Sequence, residues 1–242
     1  MNKLLACGLL AWAGVASATD KDGKPIPFDF SARVSVDETG APQQIQFSDK
    51  LPKGFQSLAE QRIRQWHFEP ARVDGVAKAG VTHVFVNACA VPKADGGMRI
   101  SMGYRANGPG YPELNAYMKP PPYPKDALRN GLDGELRLTL SIGVDGHATL
   151  DSIDSKNNRR LLQAFEPTLR SWVTTLRYMP EEIDGKPVVT HIRFPVSFYL
   201  GNGPRDDTER ENRDECLAAR SAAGNAEQPV VLDSPFKPIT TS

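Results

Sequence analysis

Four histidines (His67, His83, His147, His191) and three cysteines (Cys7, Cys89, Cys216) are the side chains best suited to ligate a metal or to act as nucleophile or base. Their spacing does not assemble that chemistry. A zinc hydrolase places two histidines one helical turn apart around a glutamate, a serine hydrolase carries Gly-x-Ser-x-Gly at a strand-to-helix turn, and a nucleotide binder has a glycine-rich phosphate loop. The chain contains none of these. His83 and His191 stand at matching places, in Thr82-His83-Val84 and Thr190-His191-Ile192, so a structural or surface role explains them more economically than a metal pair. Asp95-Gly96, Asp133-Gly134, Asp145-Gly146 and Asp184-Gly185 lack the alternating acids and distal glutamate of a calcium loop and read as turns. Glu181-Glu182 has no carboxylate partner at an acid–base spacing and reads as a solvated loop. An active site would have to lie at a domain junction and unite His147 or His191 with carboxylates from the other domain. The expectation is a non-enzymatic protein with no cofactor and no metal.

The cysteines allow two readings. There is no Cys-x-x-Cys pair, and Cys89 and Cys216 are separated by about 127 residues. They either form one bridge, which would stabilise by a few kcal/mol in the loop-entropy model, or stand as two unpaired thiols, one buried and one near the C-terminus.

Composition narrows the class. The 242 residues carry 29 basic and 29 acidic side chains with no run of five like charges, which excludes the electropositive stripe that binds nucleic acid. Aromatic residues at 8% and charged residues at 24% are ordinary for folded domains. The N-terminus has Lys3, an apolar run from Leu4 to Ala16, and the small-x-small site Ala16-Ser17-Ala18. Residues 1–18 therefore read as a secretory signal peptide, shorter than the span of about 20 residues that a bilayer requires. Cleavage after Ala18 would deliver the rest to the oxidising periplasm. The alternative is an uncleaved signal that anchors the protein in the inner membrane.

One pattern is written twice in the remainder. Phe28, Phe30, Ala32, Val34 and Val36 alternate with polar residues before a turn at Asp37-Glu38-Thr39-Gly40. Leu136, Leu138, Leu140 and Ile142 do the same before Val144-Asp145-Gly146. A shorter strand follows each turn, and then comes helical spacing: Phe55, Ala59, Ile63, Trp66 in one copy and Leu162, Phe165, Leu169, Trp172, Leu176 in the other. Pro167 interrupts the second stripe and predicts a kink or a late helix start. Both helices exit toward a proline, Pro70 or Pro180, and then Asp74-Gly75 or Asp184-Gly185 turns the chain into a closing strand. Strand, strand, helix, strand thus recurs, predicting α+β domains over 19–91 and 121–200. Residues 92–120, with Gly96-Gly97, Gly108-Pro109-Gly110 and Pro120-Pro121-Pro122, read as a Gly/Pro-rich linker in which Met98–Met102 could form a stray strand. Residues 201–242 read as a tail, with a charged helix over 205–215 and disorder from Gly224 onward.

With Pro121-Pro122-Tyr123-Pro124, Ala127-Leu128, Gly131, Gly134, Val144-Asp145-Gly146, the helix, Pro180, Asp184-Gly185-Lys186-Pro187-Val188 and Phe194-Pro195-Val196-Ser197-Phe198 in that order, residues 121–200 resemble the C-terminal domain of TonB-type energy transducers. The first copy is similar but divergent: Trp66-x-Phe68-x-Pro70 and Asp74-Gly75 fit, while a Tyr-Pro before its opening strand is missing. The resemblance implies two small α+β domains, each a three-stranded antiparallel sheet packed by a helix. It also implies a periplasmic binding module that grips an extended peptide of an outer-membrane receptor, or of another envelope protein, in energy-coupled transport. The retained membrane helix and long Pro/Lys/Glu-rich span of a full transducer are not read in this sequence, so the binding mode is implied and force transmission is not.

The residues of the last strand fit such a grip. Proline cannot donate to a ladder, so Pro195 puts this strand at a sheet edge, and an open edge is a template for strand addition. The expected partner-binding residues are Ile192, Arg193, Phe194, Pro195, Val196, Ser197 and Phe198. Tyr123 and Pro124 either line the peptide groove or form a structural lead-in to a helix. Four or five backbone bonds at about 0.5–1.5 kcal/mol each barely offset an association cost of about 4–15 kcal/mol, so binding should be weak and reversible. In the first copy the equivalent strand has Asn87 in place of proline and is free to pair with the other domain. The rival reading is a non-transducing structural or adaptor protein whose sheet edges form a homodimer or seal the two domains.

Overall fold

The computed structural model describes residues 25–48, 51–112, 119–201 and 229–241. The expected signal peptide, the charged stretch 205–215 and Cys216 lie outside the described residues. The chain is a mixed α+β protein, mostly sheet, with two separate hydrophobic cores.

In the first half, β1 (Ile26–Val36) pairs with β2 (Pro42–Phe47) on one side and β6 (Gly80–Pro92) on the other, all antiparallel. Between them come α1 (Lys53–Ile63), short β3 (His67–Glu69) and the hairpin β4 (Ala71–Val73) and β5 (Val76–Lys78). The apolar alternation of β1 puts Phe30, Ala32, Val34 and Val36 into the core, where they meet Ala59 and Ile63 of α1 and the buried Trp66 and Phe68. The expected linker is different: Met98–Gly108 is an 11-residue strand, β7, paired with β6 from His83 to Pro92. The far side of β6 is therefore covered, and β6 is not an edge.

In the second half, α2 (Lys125–Arg129) starts after Pro124, and β8 (Gly134–Ile142) lies between β9 (Ala148–Asp154) and β12 (Thr190–Phe198). Helix α3 (Arg159–Val173) is capped by the Asn158 side chain, which accepts from the Leu161 N–H. It runs through Pro167, whose side chain is exposed, so the expected late start does not occur. Its buried stripe is Leu161, Phe165, Leu169, Trp172 and Val173; Leu161 takes the place anticipated for Leu162.

Neither sheet is simply three-stranded. β10 (Glu182–Ile183) and β11 (Lys186–Pro187) form a hairpin, and β10 pairs with Gly80 and Val81 of β6, so the second half adds strands to the first sheet. The stretch expected to be disordered supplies β13 (Val230–Val231), paired with β12, and β14 (Lys237–Thr240), paired with β3. Phe236 between them is fully buried in the first core. Burial of this aromatic ring, with Val231 packed against the second core, ties the segment to both halves. Among the described residues no helix is long and apolar enough to cross a membrane.

Candidate peptide-binding rim

The two sides of β12 are distinguished by hydrogen-bond parity. Successive residues of a strand direct their backbone groups to opposite neighbours. The His191 carbonyl accepts from the Leu232 N–H at 2.8 Å, and the His191 N–H donates to Asp233 Oδ1 at 2.6 Å, so His191 faces the rim away from β8. Arg193, Pro195 and Ser197 share that parity. The missing donor of Pro195 is thus on the rim, where it interrupts no bond to β8.

This divides the predicted residues. Ile192, Phe194, Val196 and Phe198 direct their backbone groups at β8, opposite Leu140, Leu138, Leu136 and Gly134. The side chains of Ile192, Val196 and Phe198 are buried in the second core, and Phe194 packs against Trp172 with ring centroids 5.8 Å apart. They build the sheet, while Arg193, Pro195 and Ser197 present its rim. Tyr123 packs on the second core: its hydroxyl donates to the Leu132 carbonyl and its ring meets Phe165 and Phe198 at 5.6 and 5.4 Å. Pro124 serves as the residue before α2.

Part of the rim is already filled. β13 pairs Val231 with Ile192 and Val230 with Arg193. Among the described residues no strand pairs with Phe194–Phe198 on that side. Sequence reasoning missed His191 as a rim residue, although its two-residue step from Arg193 and four-residue step from Pro195 give the parity. It also missed the C-terminal occupant, which carries no periodic signal. Asp233 Oδ2 lies 2.6 Å from His191 Nδ1 and lifts the imidazole pKa above its ordinary 6.5 through that hydrogen bond.

Beneath the rim, the halves and the C-terminal segment meet at a buried carboxylate. Glu181 accepts from Thr82 Oγ1 at 2.6 Å, Ser234 Oγ at 2.7 Å and Thr190 Oγ1 at 3.2 Å. Asn107 Nδ2 donates toward Ser234 Oγ at 2.9 Å and the Phe236 carbonyl at 2.8 Å, while its Oδ1 accepts from Tyr104. Burial raises the Glu181 pKa, the three hydroxyl donors oppose that rise, and the charge of Asp233 adds to it. Gly80 permits the junction: a Cβ there would lie 2.0 Å from the Glu182 carbonyl oxygen and 2.6 Å from Phe236 Cζ.

Other titratable groups do not converge. His83 is buried beside Gly110, and its pKa is lowered to about 4 by burial and by the charge of Arg33. His147 pairs locally with Asp145 at 3.1 Å. Among the described residues no group of three or more His, Cys, Asp or Glu is placed to hold a metal ion. Cys89 is disulfide-bonded, with its partner outside the described residues, where the expected Cys216 also lies.

Residues 119–200 match the family model for the Gram-negative bacterial TonB protein C-terminal. Two curated relatives, each named Protein TonB, come from Xanthomonas campestris pv. campestris strains B100 and ATCC 33913 and are 32% identical to this chain over 84 residues. That stretch is 34% of this chain and 36% of each relative, so the chain spans little more than a third of the proteins it matches. No solved structure matches the chain at a significant level. The family match contains β12 and its rim; the first half and the C-terminal segment lie outside it.

Proposed function

We propose that this chain is a TonB-like protein of the periplasm whose β12 rim holds an extended segment of an envelope partner, of the outer-membrane receptor type, as an added strand. One observation carries the reading. β12 lies inside the matched region and is covered on its outer side only by the two-residue β13, so that its rim beyond Arg193 has no strand against it among the described residues. The vacant part offers the Pro195 carbonyl and the Ser197 N–H and carbonyl, too few groups for tight binding on backbone bonds alone. A longer grip needs His191 and Arg193 as well, which Val230–Asp233 now occupy.

Calorimetry with peptides from outer-membrane receptors tests this. Ser197→Pro removes a rim donor without touching the ladder to β8 and should weaken binding at least tenfold, while Ser197→Ala binds like wild type. Equal affinity in a folded Ser197→Pro protein would overturn the reading.

The rival reading, a structural or adaptor protein, draws on a separate observation. β10 seals the start of β6, and β13 covers part of β12, so two edges are used within the chain. A concentration-independent dimer in light scattering, with no affinity for any receptor peptide, would favour it.

A further inference from the structure

The occupant of the rim is itself a record of what the rim accepts. Val230 lies opposite Arg193 and Val231 opposite Ile192, running antiparallel to β12. Val231 packs against the second core, and β7 makes room for it: a Cβ on Gly108 would fall 2.4 Å from Val231 Cγ2 and 3.1 Å from Cγ1. Leu232 donates its N–H to the His191 carbonyl, and Asp233 then takes both the backbone N–H and the Nδ1 of His191, each at 2.6 Å. The rim thus has an aliphatic seat formed by Gly108 and the core, followed by a carboxylate seat formed by two groups of His191.

This arm differs from the segment that follows it. Val230 is 48% and Leu232 42% exposed, and the side chains of Asp233 and His191 are nearly half exposed. Ser234 is hydrogen-bonded to Glu181 and Asn107, and Phe236 is 0% exposed. Ser234 and Phe236 therefore anchor the segment, and residues 230–233 are a more exposed strip ahead of that anchor. An arm held this way competes from within at the high effective concentration of a tethered ligand.

We infer that Val230–Asp233 is the resident ligand of the β12 rim, and that the rim takes in its place an extended partner segment bearing two aliphatic residues followed, after one more residue, by aspartate or glutamate. This rests on the strand-addition reading above and specifies its partner. The arm lowers the affinity of the partner until it is displaced, and His191 selects for the acid.

The test uses the full chain and a fluorescein-labelled, amidated octapeptide with the sequence of residues 226–233, read by fluorescence anisotropy. Two variants unseat the arm by different routes. Val231→Lys cannot occupy the apolar seat, and Asp233→Ala takes from the arm the carboxylate that His191 holds, both leaving the rim itself unchanged; thermal melting confirms that each is folded. Both should bind the octapeptide at least tenfold more tightly than wild type. On both, the peptide with alanine in place of its aspartate should bind at least fivefold more weakly, and His191→Ala should shrink that difference. No gain in either folded variant, or no preference for the acidic peptide, overturns the inference. Receptor-derived peptides separate it from the broader reading. If they bind in a Ser197-dependent way and ignore Val231→Lys and Asp233→Ala, the rim binds partners but the arm is not its ligand. If the octapeptide gains affinity while receptor peptides ignore Ser197→Pro, the arm is the ligand and receptor capture fails.

Discussion

Thr82 Oγ1 donates to Glu181 Oε1 at 2.6 Å, tying β6 of the first half to the turn that precedes β10 in the second. Ser234 and Thr190 add two more donors to the same carboxylate. Glu181→Ala strands the two buried hydroxyls of Thr82 and Thr190 and the part-buried one of Ser234, and should lower unfolding stability in urea by about 2–4 kcal/mol, since each buried polar group left unpaired costs about 1–3 kcal/mol before relaxation. Glu181→Gln keeps an acceptor and should cost less than half as much. An alanine variant as stable as wild type would show that the junction does not hold the halves together.

The same carboxylate gives a pH dependence of definite sign. Burial puts its folded pKa above the ordinary 4.5, so its contribution is fully present below that value and is lost as the pH rises through the folded pKa. Relative to wild type, the Glu181→Gln protein should therefore gain stability as the pH is raised from about 4.5. A constant difference in urea midpoints across that range would contradict the buried, uphill carboxylate.

His83 pulls in the opposite direction. Its pKa falls from 6.5 to about 4 through burial and the charge of Arg33. A base depressed in the folded state contributes stability above its unfolded pKa and loses it as the pH drops toward the folded one. The loss amounts to roughly 3 kcal/mol for a shift of this size. Thermal melts should show wild type weakening between about pH 6.5 and 4, and His83→Leu should flatten that slope. An unchanged slope would place the acid sensitivity elsewhere.

Glycines separate strain from close approach. At Gly40 and Gly146, both with positive φ, an added Cβ would lie 1.7 Å from the Phe68 carbonyl oxygen and 2.1 Å from that of Tyr178. At Gly75 and Gly185, also with positive φ, nothing lies within 4 Å. Alanine at the latter pair should cost only the left-handed penalty of about 1–2 kcal/mol. At the former pair the backbone after the helix must also move, and the loss in urea unfolding should be at least twice as large.

These turns mark the part of the fold that the sequence made legible. Alternation in β1 and β8, Gly40 and Gly146 after them, and Asp74-Gly75 and Asp184-Gly185 before the closing strands are local signals, and each appears in the structure where its chemistry requires it. β7 is legible only in part: Met98–Met102 reads as a stray strand, while Gly103 and Gly108 give the rest a linker's composition, and pairing with β6 extends the strand to Gly108. β13 and β14 were hidden because two and four residues carry no period; Phe236 and the Glu181 cluster fix them from a distance in sequence. At the rim, Pro195 marks β12 as an edge strand, whereas β13 lies outside it and pairs with Ile192 and Arg193. What it could not disclose was an occupant arriving from about 35 residues downstream.

Whether that occupant is seated in solution is open to direct measurement at His191. The Asp233 hydrogen bond is the main reason that the imidazole pKa is raised above 6.5, with the charges of Asp233 and Asp151 adding to it and partial burial opposing it. Removing the carboxylate in Asp233→Ala withdraws the first two supports and leaves only the Asp151 charge. The His191 midpoint, followed through its ring resonances by NMR, should therefore move down toward 6.5. Val231→Lys should lower the His191 midpoint in the same direction without changing any charge within hydrogen-bonding reach of the ring, because lifting the aliphatic seat carries Asp233 away from it. An unshifted His191 in both variants would mean that the arm does not rest on the rim in the free protein.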